Sequence, residues 1–229
     1  MGNIGRVLKK VDYILYLVTD RKLLNGRDTC DCIEEAVLGG VTMIQLREKE
    51  ISTLELYETA LKVKNIAGKY NIPFIVNDRL DIALSVDAEG LHIGQEDLPL
   101  PVARCLLGPD RIIGVSVSTV EEALLAQSQG ADYLGVGAIF PTETKSDAKY
   151  PGLAGLCRIR AAVNIPVVAI GGINETNAPQ VMAAGADGVA VVSAILGQPD
   201  IRGASLRLYQ LITGHNESGD SSAENRYRP

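Results

Sequence analysis

Three short stretches of this chain concentrate side chains able to handle a highly charged anion. The first is Gln45-Leu46-Arg47-Glu48-Lys49. Alternate residues of an extended run share a face, so Gln45, Arg47 and Lys49 can all point into one mouth if the extended run persists. An arginine fork and a lysine point charge suit a phosphate or pyrophosphate, although the same segment alone also fits a solvated charge cluster on a loop. The second is the pair Asp78 and Asp97, in "IVNDR" and "LHIGQED". Hard carboxylate oxygens on adjoining loops suit Mg²⁺, which takes one or two carboxylates plus substrate phosphates. An ion pair with Arg79 or a helix cap is the plainer reading of Asp78 by itself. The third is "GAIFPTETK", residues 137–145, where Pro141 ends a thin apolar run before Thr142, Glu143, Thr144 and Lys145.

Further polar or glycine-rich tips follow apolar runs at Asn77, Ser116, Gly171-Gly172 and Val192-Ser193. The glycine pair and Val192-Ser193 suit a phosphate held by backbone N–H groups, helped by a helix start. A glycine pair also serves as a plain tight turn, but in company with the other tips the phosphate reading is preferred. His92 has no evident acidic orienter and reads as a packed, hydrogen-bonded histidine. No G-x-S-x-G elbow or Ser-His-Asp order is present, which leaves acyl-transfer hydrolysis unsupported.

The elements that must position these tips repeat a local grammar. "LGGVTMIQLRE", "SQGADYLGVGAIF" and "AAGADGVAVVSAI" each run from a glycine at a helix end through a short apolar strand to a polar tip, and "NIPFIVND" and "NIPVVAIGG" open a strand with proline. Strands are predicted at 14–19, 42–47, 74–77, 90–93, 112–117, 133–137, 167–170 and 189–192. Amphipathic helices are predicted between them, among others at 53–69, with Leu54, Tyr57, Ala60 and Leu61 at helical spacing, and at 120–128. Eight strands alternating with helices predict an α/β fold, a single (β/α)₈ TIM barrel spanning residues 1–212 with a short N-terminal extension. An open doubly wound sheet competes, but no G-x-G-x-x-G follows the first strand. Residues 213–229, almost without large aliphatic side chains, are expected to form a disordered tail.

Composition narrows the classes. A 46% hydrophobic content supports a sizeable core, and a net charge of −6 argues against nucleic acid as the main partner. The four cysteines, without a C-x-x-C, read as reduced and mostly buried thiols rather than a zinc site or disulfide framework. The apolar run after Arg6, Lys9 and Lys10 is too short for a signal core, and nothing is long enough to span a bilayer, so a cytoplasmic protein is expected.

Taken together, "LYLVTD", "MIQLREK", "IVNDR", "LHIGQED", "IGVSVST", "GAIFPTETK", "VVAIGGI" and "GADGVAVVSAI" resemble the thiamine-phosphate synthase (thiamine-phosphate pyrophosphorylase) family in content and order, over about residues 14–195. The resemblance implies joining hydroxymethylpyrimidine pyrophosphate to hydroxyethylthiazole phosphate, releasing pyrophosphate, with Mg²⁺ as cofactor and small phosphorylated molecules as the partners. It implies that Gln45, Leu46, Arg47, Glu48, Lys49 and Asn77 hold the pyrimidine pyrophosphate, that Asp78 and Asp97 bind Mg²⁺, and that Ser116 contacts the pyrimidine. It further implies that Thr142, Glu143 and Thr144 contact the thiazole phosphate together with Gly172, Val192 and Ser193, and that Lys145 binds the pyrophosphate. Arg47, Lys49, Lys145 and Ser116 are the residues expected to act in catalysis. A related thiazole tautomerase and a non-catalytic phosphate-binding barrel are the rival readings, and a homo-oligomer is left open.

Overall fold

Each strand of this protein is short and apolar because both of its faces are covered. The computed structural model describes residues 11–142 and 150–214. Its eight strands are β1 (Leu15–Val18), β2 (Met43–Leu46), β3 (Phe74–Asn77), β4 (Gly90–Ile93), β5 (Ile112–Val117), β6 (Tyr133–Val136), β7 (Val167–Ile170) and β8 (Gly188–Val191). All neighbouring pairs are parallel, and β8 pairs with β1 to close the barrel. The helices are α1 (Thr29–Leu38), α2 (Thr53–Tyr70), α3 (Leu80–Ser85), α4 (Leu100–Leu107), α5 (Val120–Ser128), α6 (Gly152–Ala162), α7 (Ala178–Ala183), α8 (Ser193–Leu196) and α9 (Ile201–Thr213). The segment expected to be a disordered tail lies, from residue 215 on, outside the described residues, as do Glu143, Thr144 and Lys145.

Strand parity sorts the side chains into two cores. One parity, including Tyr16, Met43, Ile75, Tyr133 and Val168, fills the barrel interior. The other, including Leu17, Ile44, Leu46 and Val76, packs outward against the helices. A one-residue register slip would exchange the two sets, so the pattern fixes the pairing. Helix starts follow local chemistry: the side chains of Asp28, Ser52, Thr119 and Asp200 each accept a backbone N–H in the first turn of α1, α2, α5 and α9. Prolines open strands as expected, since Pro73 and Pro166 have no N–H to offer but lend carbonyls to Ile44 and Leu134 in the neighbouring strands.

The structure moves several predicted boundaries. Strand β8 begins one residue earlier and stops before Val192, whose ψ of −80° has already left the extended region to start α8. On α2 the buried stripe is Leu56, Ala60, Val63 and Ala67, at i, i+4, i+7 and i+11, while Leu54 is 66% exposed and Leu61 also faces solvent. Apart from Leu56 the buried stripe is made of small and β-branched residues, while Leu54 and Leu61 take the outer flank. The cysteines also differ from expectation: all four are free, but Cys105 and Cys157 are exposed and only Cys32 is buried.

Barrel closure leaves no room at Gly188, where an added Cβ would lie 1.8 Å from the carbonyl oxygen of Tyr13. The opposing atom is backbone, so no rotamer change relieves the clash. Gly188→Ala is expected to destabilise the protein by about 1–3 kcal/mol, as overpacking does. A urea unfolding midpoint equal to that of the wild type would show that β1 and β8 have freedom the closed ladder denies.

Candidate active site

The strand tips converge on a cavity of ≈ 380 Å³ at the C-terminal end of the barrel. Gln45, Arg47, Lys49, Asn77, Asp78, Asp97, Ser116, Thr142, Gly172, Val192 and Ser193 all line it. The expected alternation on β2 therefore persists past the last regular strand residue, and Gln45, Arg47 and Lys49 share the mouth. Leu46 and Glu48 take the opposite parity. Leu46 is buried in the outer core, and Glu48 pairs with Arg21 at 3.0 Å with its side chain only 3% exposed. Burial pushes the Glu48 carboxyl up, and Arg21 pulls it back.

Asp78 sits in the left-handed region at φ 60°, a conformation that aspartate tolerates better than most residues. Its N–H donates to the carbonyl of His92 at 2.8 Å, which ties the β3 tip to β4. Asp97 is fixed by the N–H of Gly94, which donates to its Oδ2 at 2.7 Å. Asp97 comes within hydrogen-bonding reach of Asp78, and Lys49 lies 3.7 Å from Asp78 Oδ2. Burial first, then the neighbouring Asp97, pushes the Asp78 carboxyl up to about 6, with Lys49 working in the opposite direction. Arg79, the partner considered for Asp78, instead forks onto Asp81.

Below this charged rim lies a hydrogen-bonded floor. Gln45 Nε2 donates to Tyr16 Oη at 2.9 Å, and the hydroxyls of Tyr16 and Tyr133 are 2.9 Å apart. Tyr133 Oη lies 2.9 Å from His92 Nδ1, and His92 Nε2 lies 2.9 Å from Ser116 Oγ. Burial raises both phenols far above their ordinary range, so they remain neutral and serve only as hydrogen-bonding groups. His92 is thus packed and hydrogen-bonded as expected, and a tyrosine rather than a carboxylate orients it. The sequence reading missed Tyr16 and Tyr133. The available signal was their inward parity together with Gly114, where an added Cβ would fall 2.4 Å from Tyr133 Oη. A glycine on an inward strand position marks the space that a large ring on the next strand occupies.

Fold and mouth together define a (β/α)₈ barrel with paired cations and paired carboxylates at the C-terminal ends of its strands, the end where barrels of this architecture carry their active sites. Comparison with known proteins makes this specific: the chain belongs to the family described as thiamine monophosphate synthase, whose family model matches residues 15–195. It is 57% identical over 196 residues to the thiamine-phosphate synthase of Clostridium tetani, covering 86% of this chain and 94% of that one. It is 56% identical over 205 residues to the thiamine-phosphate synthase of Clostridium acetobutylicum, covering 90% and 97%. Among solved structures it resembles a thiamine phosphate pyrophosphorylase from Pyrococcus furiosus, with a TM-score of 0.83, 45% identity, and coverage of 89% of this chain and 97% of that one.

The buried floor yields a direct test. Tyr133→Phe removes the hydroxyl between Tyr16 and His92 and leaves a buried hydroxyl and a ring nitrogen each short of a partner. A loss of about 1–3 kcal/mol is expected from urea unfolding, the usual cost of stranding a buried polar group. Unchanged stability would mean that the chain of hydrogen bonds is not intact in solution.

Proposed function

We propose that this barrel is a thiamine-phosphate synthase, displacing pyrophosphate from hydroxymethylpyrimidine pyrophosphate with the ring nitrogen of hydroxyethylthiazole phosphate. The observation that carries the reading is the pairing of Asp78 and Asp97 beside Arg47 and Lys49 in one mouth, in a chain of this family.

The carboxylates fit a divalent cation by the chemistry of their donor set. Asp78 is pushed up first by burial and then by the adjacent Asp97, and a dication bound between the two carboxylates would favour the charged form of both. Mg²⁺ takes one or two carboxylates and completes its shell with water and substrate phosphate; among the described residues there is no larger group of His, Cys, Asp or Glu placed to hold a metal. Mg²⁺ would be held by Asp78 and Asp97 and would supply neutralising charge to the pyrophosphate oxygens.

The remaining work falls to the chain. Arg47 and Lys49 bind the pyrophosphate and stabilise the charge that grows on it as the C–O bond to the pyrimidine methylene breaks, and Lys145, outside the described residues, is assigned the same role. The bonding electrons leave with pyrophosphate. The thiazole nitrogen lone pair then forms the new C–N bond, with no protein nucleophile and no proton transfer required. Asn77 and Gln45 orient the pyrimidine pyrophosphate and Ser116 contacts the pyrimidine, while Thr142, Gly172, Val192 and Ser193, with Glu143 and Thr144, hold the thiazole phosphate. Orientation of the two substrates is the second large contribution. Small phosphorylated molecules are accordingly the partners, and a cytoplasmic setting suits them; among the described residues no helix is long and apolar enough to cross a membrane.

Incubating the protein with both substrates and Mg²⁺ should yield thiamine phosphate and pyrophosphate in equal amounts. Isomerisation of a thiazole without condensation would favour the tautomerase reading instead. Asp97→Asn keeps an acceptor for the Gly94 N–H but removes a charge. It is expected to raise the Mg²⁺ concentration for half-maximal turnover by at least about tenfold, with the KM for the thiazole phosphate unchanged. An unaltered Mg²⁺ requirement would remove Asp97 from the metal site.

A further inference from the structure

We propose that Arg21 is a positioning residue for Arg47 and Lys49, acting through Glu48 and Thr19 as a brace outside the barrel mouth. The inference rests on the assignment of pyrophosphate to those two cations.

The regular pairing of β2 ends at Leu46, yet the two cations lie beyond it, at 47 and 49. What keeps that extension straight comes from the end of β1. Thr19, fully buried, donates its N–H to the carbonyl of Gln45 at 2.9 Å, the last regular rung. Its Oγ1 then accepts the N–H of Arg47 at 2.9 Å and faces the carbonyl of Arg47 at 3.3 Å, so a side chain supplies the rung that the ladder no longer provides. The next residue, Glu48, turns outward and is caught on both oxygens, Oε1 by Thr19 Oγ1 at 3.3 Å and Oε2 by Arg21 Nε at 3.0 Å. Anchoring residue 48 on the outside commits residues 47 and 49 to the inside.

Arg21 holds the far end of the same segment as well. Its Nη1 donates to Glu55 Oε1 at 2.5 Å, in the first turn of α2, where Ser52 Oγ accepts the N–H of Glu55 at 3.1 Å. The stretch 49–52 is thereby strung between two carboxylates gripped by one planar guanidinium, a geometry that lysine cannot reproduce in full. Arg21 does not line the cavity, and neither do Thr19 and Glu48. Its second effect is electrostatic: Glu48 lies in sequence between the two cations, and without Arg21 its buried charge would oppose the anion they attract.

The test reads affinity for inorganic pyrophosphate with Mg²⁺ by calorimetry on the full chain, which needs no turnover. Arg21→Gln is expected to weaken binding about tenfold through misplaced cations and a stranded carboxylate. Arg21→Lys, which keeps the charge but only one arm of the brace, should fall between the two, and the double variant R21Q/E48Q should recover only a small part of the loss, because the unpaired charge is gone but the brace is not restored. Recovery of most of the loss in R21Q/E48Q would show that only the stranded charge mattered and would overturn the proposal, as would wild-type affinity in R21Q. Should R21Q not fold, Thr19→Val tests the same brace from its other arm: it keeps the shape, removes the hydroxyl, and is expected to weaken pyrophosphate by about fivefold; unchanged affinity there overturns the proposal. A wild-type protein that binds pyrophosphate but forms no thiamine phosphate counts against the reaction assigned above, since the brace is read on affinity alone.

Discussion

Two carboxylates of the same sign, Asp78 and Asp97, are held against one another at the rim of a closed barrel, and most of what surrounds them follows from that constraint. Backbone hydrogen bonds fix each one: the β3 tip is tied to β4 through Asp78 N–H, and Asp97 is pinned by Gly94. The first bond fixes the backbone that carries the Asp78 side chain, and the second holds the Asp97 carboxylate itself. Lys49, 3.7 Å from Asp78, offsets part of their repulsion, while burial and the neighbouring Asp97 together hold the Asp78 carboxyl above its ordinary range. On the function proposed above, a dication held between them would offset that repulsion and a polyanion would bind beside it.

The barrel supplies the rigidity this requires. Its interior is packed by one parity of each strand and its shell by the other, so every inward tip has a fixed height and direction. The floor of tyrosines, histidine and serine extends the same order into the polar part of the cavity, where each buried group has a partner. Among the described residues no buried side-chain nitrogen or oxygen lacks a hydrogen bond. Such a network specifies one arrangement, because losing any member strands its neighbours.

Much of this was legible in the sequence, for physical reasons that differ by element. Continuous apolar runs, opened by a helix-ending glycine or a proline and closed by a polar tip, announced buried parallel strands, and eight of them announced the barrel. The mouth was legible through β2, because alternation alone places Gln45, Arg47 and Lys49 on one side. The limits were equally physical. Of the α2 residues read at helical spacing, Ala60 is in the buried stripe but Leu54 and Leu61 are not; Leu56, Val63 and Ala67 complete it, and hydrophobicity alone did not choose between the two flanks. Tyr16 and Tyr133 went unseen as site residues because an aromatic on an apolar strand looks like core, and here it is both core and floor. The outward role of Glu48 depends on Arg21, 27 residues away, and pairings at that distance leave no local pattern.

The central claim is that the carboxylate pair and the cations form one anion site that a divalent cation completes, and the most direct measurement is pyrophosphate affinity by calorimetry with and without Mg²⁺. If the account holds, Mg²⁺ strengthens pyrophosphate binding by at least about tenfold, and by linkage pyrophosphate strengthens Mg²⁺ binding by the same factor. Equal pyrophosphate affinity in the presence and absence of Mg²⁺ would contradict it.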